Sequence, residues 1–445
     1  MTAVVETINK AVKKPSLLLP SEANIALPGE NNAWLKTVRK NATDQFIKNG
    51  LPTIHDEEWR YTDIRKLKRH QFAITRNVPD VSEMLATVPD YGLDRIVLIN
   101  GYFAPEFSNN DFAEGVTVHS LANRLENNAL DGLIGSALPI EQHGFTAINS
   151  AHCLDGAVIE IADKAIVKKP IELIHITTPS DSAIVSHPRN IIIAGKLSEV
   201  QIIERSIGAE ITTYLNNSVT EILADEGAQL EHYKVQQESE NAFHIGGVFV
   251  NQHRDATVTN HNLSLGGALV RNDIQINLLG SGSHGGMNGL VVGHGSQHVH
   301  NHTEVAHRVP HCTSDEFYKT VLDDKSRAIF RGRITVAQDA QKTDAEQQNN
   351  NLLLSADAEV DTKPQLEIYA DDVLCSHGAT IGQIDEKSLF YFQSRGIKKD
   401  DARRLLTFAF VNEVLGRIRF EPLQAELTER FLGELLPDTY QEVFS

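Results

Sequence analysis

The spacing of hydrophobic and polar residues changes twice along the chain, predicting a helical region at 1–91, a strand-built region at 92–384 and a second helical region at 385–445. In the first, Trp34, Leu35, Val38 and Phe46 recur near helical spacing, and Pro52 then breaks the pattern. The following "LPTIHDEEWRYTDIRKL" reads as an irregular connection with a short helical turn. In the last region Leu405, Phe408, Val411, Leu415 and Ile418 form one apolar stripe at three- and four-residue intervals. Asp400 and Asp401 stand at its start, where negative charge suits the helix dipole. Pro422 marks a break before a second helix predicted to end near Leu436.

The middle region is rich in Ile, Val and Thr, in short runs punctuated by Gly, Asn and Asp. No helical pattern of useful length interrupts it, which argues against a βαβ sheet. A weak repeat is visible: "EIADKAIVKKPIEL", "IIAGKLSEVQII", "ILADEGAQLEHY", "NQHRDATVTNH" and "NLLGSGSHGGM" follow one another at about 28 to 32 residues. Strand-only units of that length predict a parallel β-helix, a solenoid whose rungs bury their faces by stacking on one another. An antiparallel sandwich is the rival, and the similar offsets of the turns favour the β-helix. The helical regions are expected to cap its open ends.

Charge narrows the function. Lys and Arg number 41 against 59 Asp and Glu, a formal charge of −18, which disfavours nucleic acid or an anionic membrane as partner. No apolar run approaches the roughly eighteen residues that span a bilayer. The N-terminus lacks the pattern of a secretory signal. Cys153, Cys312 and Cys375 are odd in number and far apart, which does not describe a disulfide framework and points to a reducing compartment, the cytosol.

Short motifs give limited chemistry. "GSGSHG", Gly280 to Gly285, matches G-x-G-x-x-G, but no helical period follows to receive a pyrophosphate, so it reads as a turn between rungs. No Walker A sequence occurs, so any ATP use falls to another subunit. His284, His294, His298, His300, His302, His307 and His311 crowd one segment. On a strand His298, His300 and His302 share a face and could chelate a metal, which makes a metal-dependent β-helix enzyme the alternative function. Polar ladders on the outside of the solenoid are the plainer reading. Cys375 and His377 lie at i and i+2, so on a strand their Cβ atoms sit roughly 6.5–7 Å apart on one face. Two ligands for a soft metal do not complete a site.

Asn349 to Ile397, "NNNLLLSADAEVDTKPQLEIYADDVLCSHGATIGQIDEKSLFYFQSRGI", resembles the SufB/SufD family of iron–sulfur cluster assembly proteins. The resemblance continues through "ARRLLTFAFVNEVLGRI" and returns in "LPTIHDEEWRYTDIRKL". Ser376 and Gly378 flank His377 where SufB members typically carry Glu, which places the resemblance nearer the SufD branch. The resemblance implies a scaffold subunit, not an enzyme by itself, that meets SufB near this segment and contributes ligands to a nascent cluster. His377 is then the main ligand and Cys375 an auxiliary thiol. It also implies a SufC ATPase docked on the C-terminal helices, with Arg395, Gly396, Ala402, Leu405 and Phe408 as candidate contacts. No cofactor is expected to stay on the lone chain, for which a homodimer is left open. The family complex is associated with reduced flavin, although no flavin motif occurs here.

Overall fold

The computed structural model describes residues 26–138 and 144–435, so the predicted end near Leu436 lies outside the described residues. Two sheets face one another and wind together into a β-solenoid of about eight turns. From Gln229 onward the chain visits them alternately. Gln229–Gln237, Thr257–Ser264, His284–Gly293, Thr313–Leu322, Asp344–Leu353 and Leu374–Gly382 stack in the ten-stranded sheet. Ala242–Gln252, Leu269–Leu278, His298–His307, Arg327–Val336 and Glu359–Ile368 stack in the eleven-stranded one. These neighbours are all parallel and in register. Antiparallel pairs occur only near the first turn among the described residues, where Asp94–Ile99 meets Tyr102–Phe103 and Val116–Ser120 meets Ala157–Ile161.

Period two and the rung length together explain the core. Alternate residues point inward, so Ile192, Ile222, Val250, Ile276, Val305 and Ile334 stack in one column. All are buried in the central cluster, and each such side chain removed from water contributes roughly 1.5–3 kcal/mol before entropy is counted. The corners repeat as well. Lys164, Leu197, Gly227, Asp255, Gly282, His311 and Lys342 each take a positive φ, one left-handed residue per turn at the same corner. That recurrence is the repeat visible in the sequence. It also settles "GSGSHG": Gly282 is a corner residue, and a Cβ there would collide with the Asp255 carboxylate.

The flanking regions do not cap the coil; they lie along its sides. Helices Lys399–Leu415 and Glu421–Leu435 pack on the outer face of the ten-stranded sheet. Leu405, Phe408, Val411, Leu415, Leu423, Leu427 and Phe431 meet Tyr233, Val235, Leu263, Leu290, Phe317, Val321 and Leu352 there. The reason is that these outward strand positions are themselves apolar and need a cover. Charge pairs pin the seam: Lys319 Nζ to Glu413 at 2.7 Å, Arg419 Nε to Glu231 at 3.0 Å, Arg417 to Asp315, and Arg205 Nη2 to Glu426 at 2.9 Å.

On the other flank, helix Ala33–Asn49 packs on Gly144–His152, and Phe46, Trp59, Ile64, Leu67 and Phe72 cover the outer face of the eleven-stranded sheet. Helix Gly144–His152 contradicts the expectation of a helix-free middle region. It is nine residues long and buried along nearly all its length, too short for helical periodicity to stand out against the strand-like runs around it.

Candidate functional site

The final strand, Leu374–Gly382, has one hydrogen-bonded neighbour, Asp344–Leu353, and an open edge on its other side. It is exposed along most of its length. Cys375 and His377 both sit on it and share a face, as their spacing predicts. Cys375 is half-buried and packs against the central core cluster, so this shared face looks into the solenoid at its open end. His377 is exposed there. Burial pushes the Cys375 thiol up, and the Asp344 carboxylate adds to the effect. The thiol therefore stays protonated in the lone chain until a cation displaces the proton.

Behind His377 runs a column of buried side chains, polar except for one methionine. In register, one residue per rung, stand Gln347, Glu316, Met287, Asn260 and His232. All five are buried. Gln347 Nε2 donates to Glu316, and burial, with no cation beside it, pushes that carboxyl up to about 7. Deeper in, His232 Nε2 and His175 Nε2 lie 3.0 and 3.2 Å from opposite oxygens of Glu204. Burial alone would lift Glu204, but the two imidazoles outweigh it and hold the carboxyl well below its ordinary range. Sequence reasoning missed this column because its members lie about thirty residues apart. Laying the repeats in register would have aligned "SDEFY", "AEQQN" and "CSHGA" and shown Glu316, Gln347 and His377 in one file.

Of the crowded histidines, His300 and His302 meet edge to face with ring centroids 6.4 Å apart, and His298 adjoins His300 through Thr62. His298 and His300 point outward from the eleven-stranded sheet and both touch Thr62 Oγ1, at 3.3 and 2.6 Å. Arg271 Nη1 is 3.0 Å from His300 Nδ1, and His302 Nδ1 is 3.0 Å from Asp273. Arg271 also donates to the Glu58 carbonyl at 2.7 Å and lies over Trp59 at 4.0 Å. These rings thus fasten the segment around "HDEEWRYT" to the solenoid. Burial, then the Arg271 charge, holds His300 well below its ordinary range. His307 points inward, 2.9 Å from Ser314 Oγ, and burial pushes it down to about 4. His311 is a corner residue, His284 pairs with Thr313, and His294 lies beside Glu240. Among the described residues no group of three or more His, Cys, Asp or Glu is arranged to hold a metal.

The candidate partner contacts divide. Ala402, Leu405 and Phe408 are buried in the seam between helix and sheet, not on open surface. Arg395 ends helix Glu386–Ser394 with its guanidinium 4.9 Å from the Tyr391 ring, and Gly396 turns the chain with a φ of 85°. Phe390 and Tyr391 on that helix are 72% and 55% exposed, and they form the apolar surface the motif reading overlooked. Among the described residues no helix is long and apolar enough to cross a membrane.

Comparison with known proteins finds matches along nearly the whole chain. Residues 175–410 match the model described as "SUF system FeS cluster assembly, SufBD core domain", and residues 18–173 match "SufBD protein N-terminal region". An iron–sulfur cluster assembly SufBD family protein of Synechocystis is 34% identical over 415 residues, covering 90% of this chain and 91% of that protein. The iron–sulfur cluster assembly protein SufD of Escherichia coli is 33% identical, covering 88% and 91%. The SufD of Bacillus subtilis is 26% identical, covering 89% and 92%.

Proposed function

Because this chain belongs to the SufB/SufD family and serves iron–sulfur cluster assembly in the Suf system, we propose that it is the SufD-type scaffold subunit, pairing with SufB through the open edge at Leu374–Gly382. The observation that carries the reading is an incomplete site on an incomplete sheet. Cys375 and His377 offer two ligands on a strand whose outer edge lacks a neighbour. Exposed Leu374, Ile381, Ile368 and Tyr369 surround them. A partner strand would satisfy the edge, cover those side chains and bring the remaining ligands to a nascent cluster, which is cargo and not a resident cofactor.

In this scheme His377 supplies an imidazole nitrogen to iron. Cys375 loses its proton on metal arrival, so the chain retains no cluster alone. ATP hydrolysis belongs to SufC, docked around Phe390, Tyr391 and Arg395. Its movement travels along helix Lys399–Leu415, whose seam with the sheet reaches Leu352, one strand before the site. The alternative of a metal enzyme built on residues 284–311 gains no support, because among the described residues no group of three or more His, Cys, Asp or Glu is arranged to hold a metal.

The test is His377→Ala in cells that co-express the neighbouring partners, followed by anaerobic purification and an absorption spectrum. The variant should fold and assemble with its partners yet carry no cluster. Normal cluster maturation in that variant would remove His377 from the mechanism.

A further inference from the structure

The end strand and its neighbour leave two complementary groups unpartnered. His377 makes no hydrogen bond among the described residues, and its register partner on the adjacent strand is Gln347. Gln347 is fully buried; its Nε2 donates to Glu316 while its Oε1 has no partner among the described residues. A buried carbonyl oxygen left this way is costly and favours any donor within reach. Adjacent strands lie about 4.8 Å apart, and side chains in register on one face are neighbours.

We propose that Gln347 and Glu316 are positioning residues for His377: Gln347 Oε1 accepts the N–H of one imidazole nitrogen, and Glu316, by accepting from Nε2, dictates which end of the amide is presented. The inference rests on the reading of His377 as a cluster ligand, since a metal-bound histidine commonly donates its other ring N–H to an acceptor that fixes tautomer and orientation. Here the amide is the acceptor and the carboxylate is the group that orients it.

A packing role alone does not explain Glu316. The next position down the same column is Met287, fully buried and of similar length, so the coil closes there with an apolar side chain. Burying a carboxyl without a cation is costly. The titratable groups facing that stretch of the interior are Tyr318 on its own strand and His307 on the opposite sheet. Asp315 lies next to it on the other face. Burial keeps Tyr318 protonated and His307 neutral, and Asp315 only raises Glu316 further. Thr303 on the opposite sheet and Gln347 both interact with this carboxyl, and of the two only Gln347 leads on to the end strand.

The experiment reads the tautomer of His377 in the full-length chain by long-range proton–nitrogen spectra of labelled histidine, with His377→Ala identifying the signal. In the unaltered chain His377 should show one dominant tautomer. Gln347→Met, equal in length and without an acceptor, should give the mixture of a free imidazole, whereas Gln347→Glu, which keeps an acceptor, should restore a single form. Glu316→Met leaves Gln347 in place but free to flip, and should also give the mixture; it serves if Gln347→Met does not fold. In cells co-expressing the partners, both Met variants should lower cluster yield about tenfold. An unchanged His377 signal in the folded Met variants overturns the positioning role, even if His377→Ala abolishes assembly. A shifted signal combined with normal assembly in His377→Ala would instead keep the hydrogen bond and discard the ligand.

Discussion

Replacing Leu374 and Ile381 with lysine should separate association from folding. Leu374 and Ile381 are 71% and 52% exposed, so neither contributes much to the stability of the lone chain. Exposed substitutions of this kind usually change stability by no more than about 0.5 kcal/mol. Full burial of such a side chain is worth roughly 1.5–3 kcal/mol. The exposed portions therefore hold about 1–2 kcal/mol for Leu374 and about 1 kcal/mol for Ile381. Their sum, about 2–3 kcal/mol, corresponds to a loss of roughly 30- to 150-fold in affinity for a partner that covers them. Two lysines that must be desolvated add to that loss. The assay is sedimentation of the doubly substituted full chain, alone and mixed with the SufB-type partner, beside a urea melt of each. The reasoning fails if the double variant associates as tightly as the unaltered chain while its melt is unchanged, because the open edge would then not be the contact.

Other expectations follow from buried groups. Glu316 has a folded-state pKa of about 7 against an ordinary 4.5, so the folded chain holds this proton more tightly than the unfolded one. Its stabilising effect is complete below pH 4.5 and is lost as pH rises through 7, a difference of about 3 kcal/mol at most. Glu316→Gln should accordingly be more stable than the unaltered chain at pH 8.5 and lose that advantage near pH 5, and parallel pH profiles in urea melts would refute this. Phe431→Ala, at a position 1% exposed in the helix–sheet seam, should cost about 3–5 kcal/mol and release helix Glu421–Leu435 to proteolysis before the solenoid is cut. Zinc should shift the melting temperature of the full chain by less than about 1 °C, because among the described residues no three His, Cys, Asp or Glu side chains are arranged to hold it. A larger rise that vanishes in His302→Asn would revive a metal site.

The solenoid was legible because its unit is local. Alternation within each strand and a left-handed corner in each turn, at Leu197, Gly227, Asp255, Gly282 and His311, both leave marks within one repeat. Cys375 and His377 were legible for the same reason, being two residues apart on one strand. What the sequence concealed depends on stacking. Helix Lys399–Leu415 was recognised by its stripe, but only the apolar outward positions Phe317, Val321 and Leu352 decide that it lies along the coil and not across its end. Leu405 and Phe408 are candidate contacts only through the family resemblance, and the seam that buries them depends on which sheet face the helix meets. Similarly, His298, His300 and His302 share a face as strand periodicity requires. That Thr62 and Arg271 already occupy it follows from contacts across more than 200 residues or from an adjacent rung.

The seam has a mechanical consequence. A helix of 17 residues is about 25 Å long, close to the span of five or six stacked strands at about 4.8 Å each. Together with Glu421–Leu435, Lys399–Leu415 acts as a splint across the strands that carry Ile203, Tyr233, Leu263, Leu290, Phe317 and Leu352. Those turns move as one stiff body. Leu374–Gly382 lies just past the end of the splint, bonded on one edge only, and is the compliant part of the coil. The braced turns are held from two directions, by ladder bonds and by the helices, whereas the strand carrying Cys375 and His377 is held by one ladder alone.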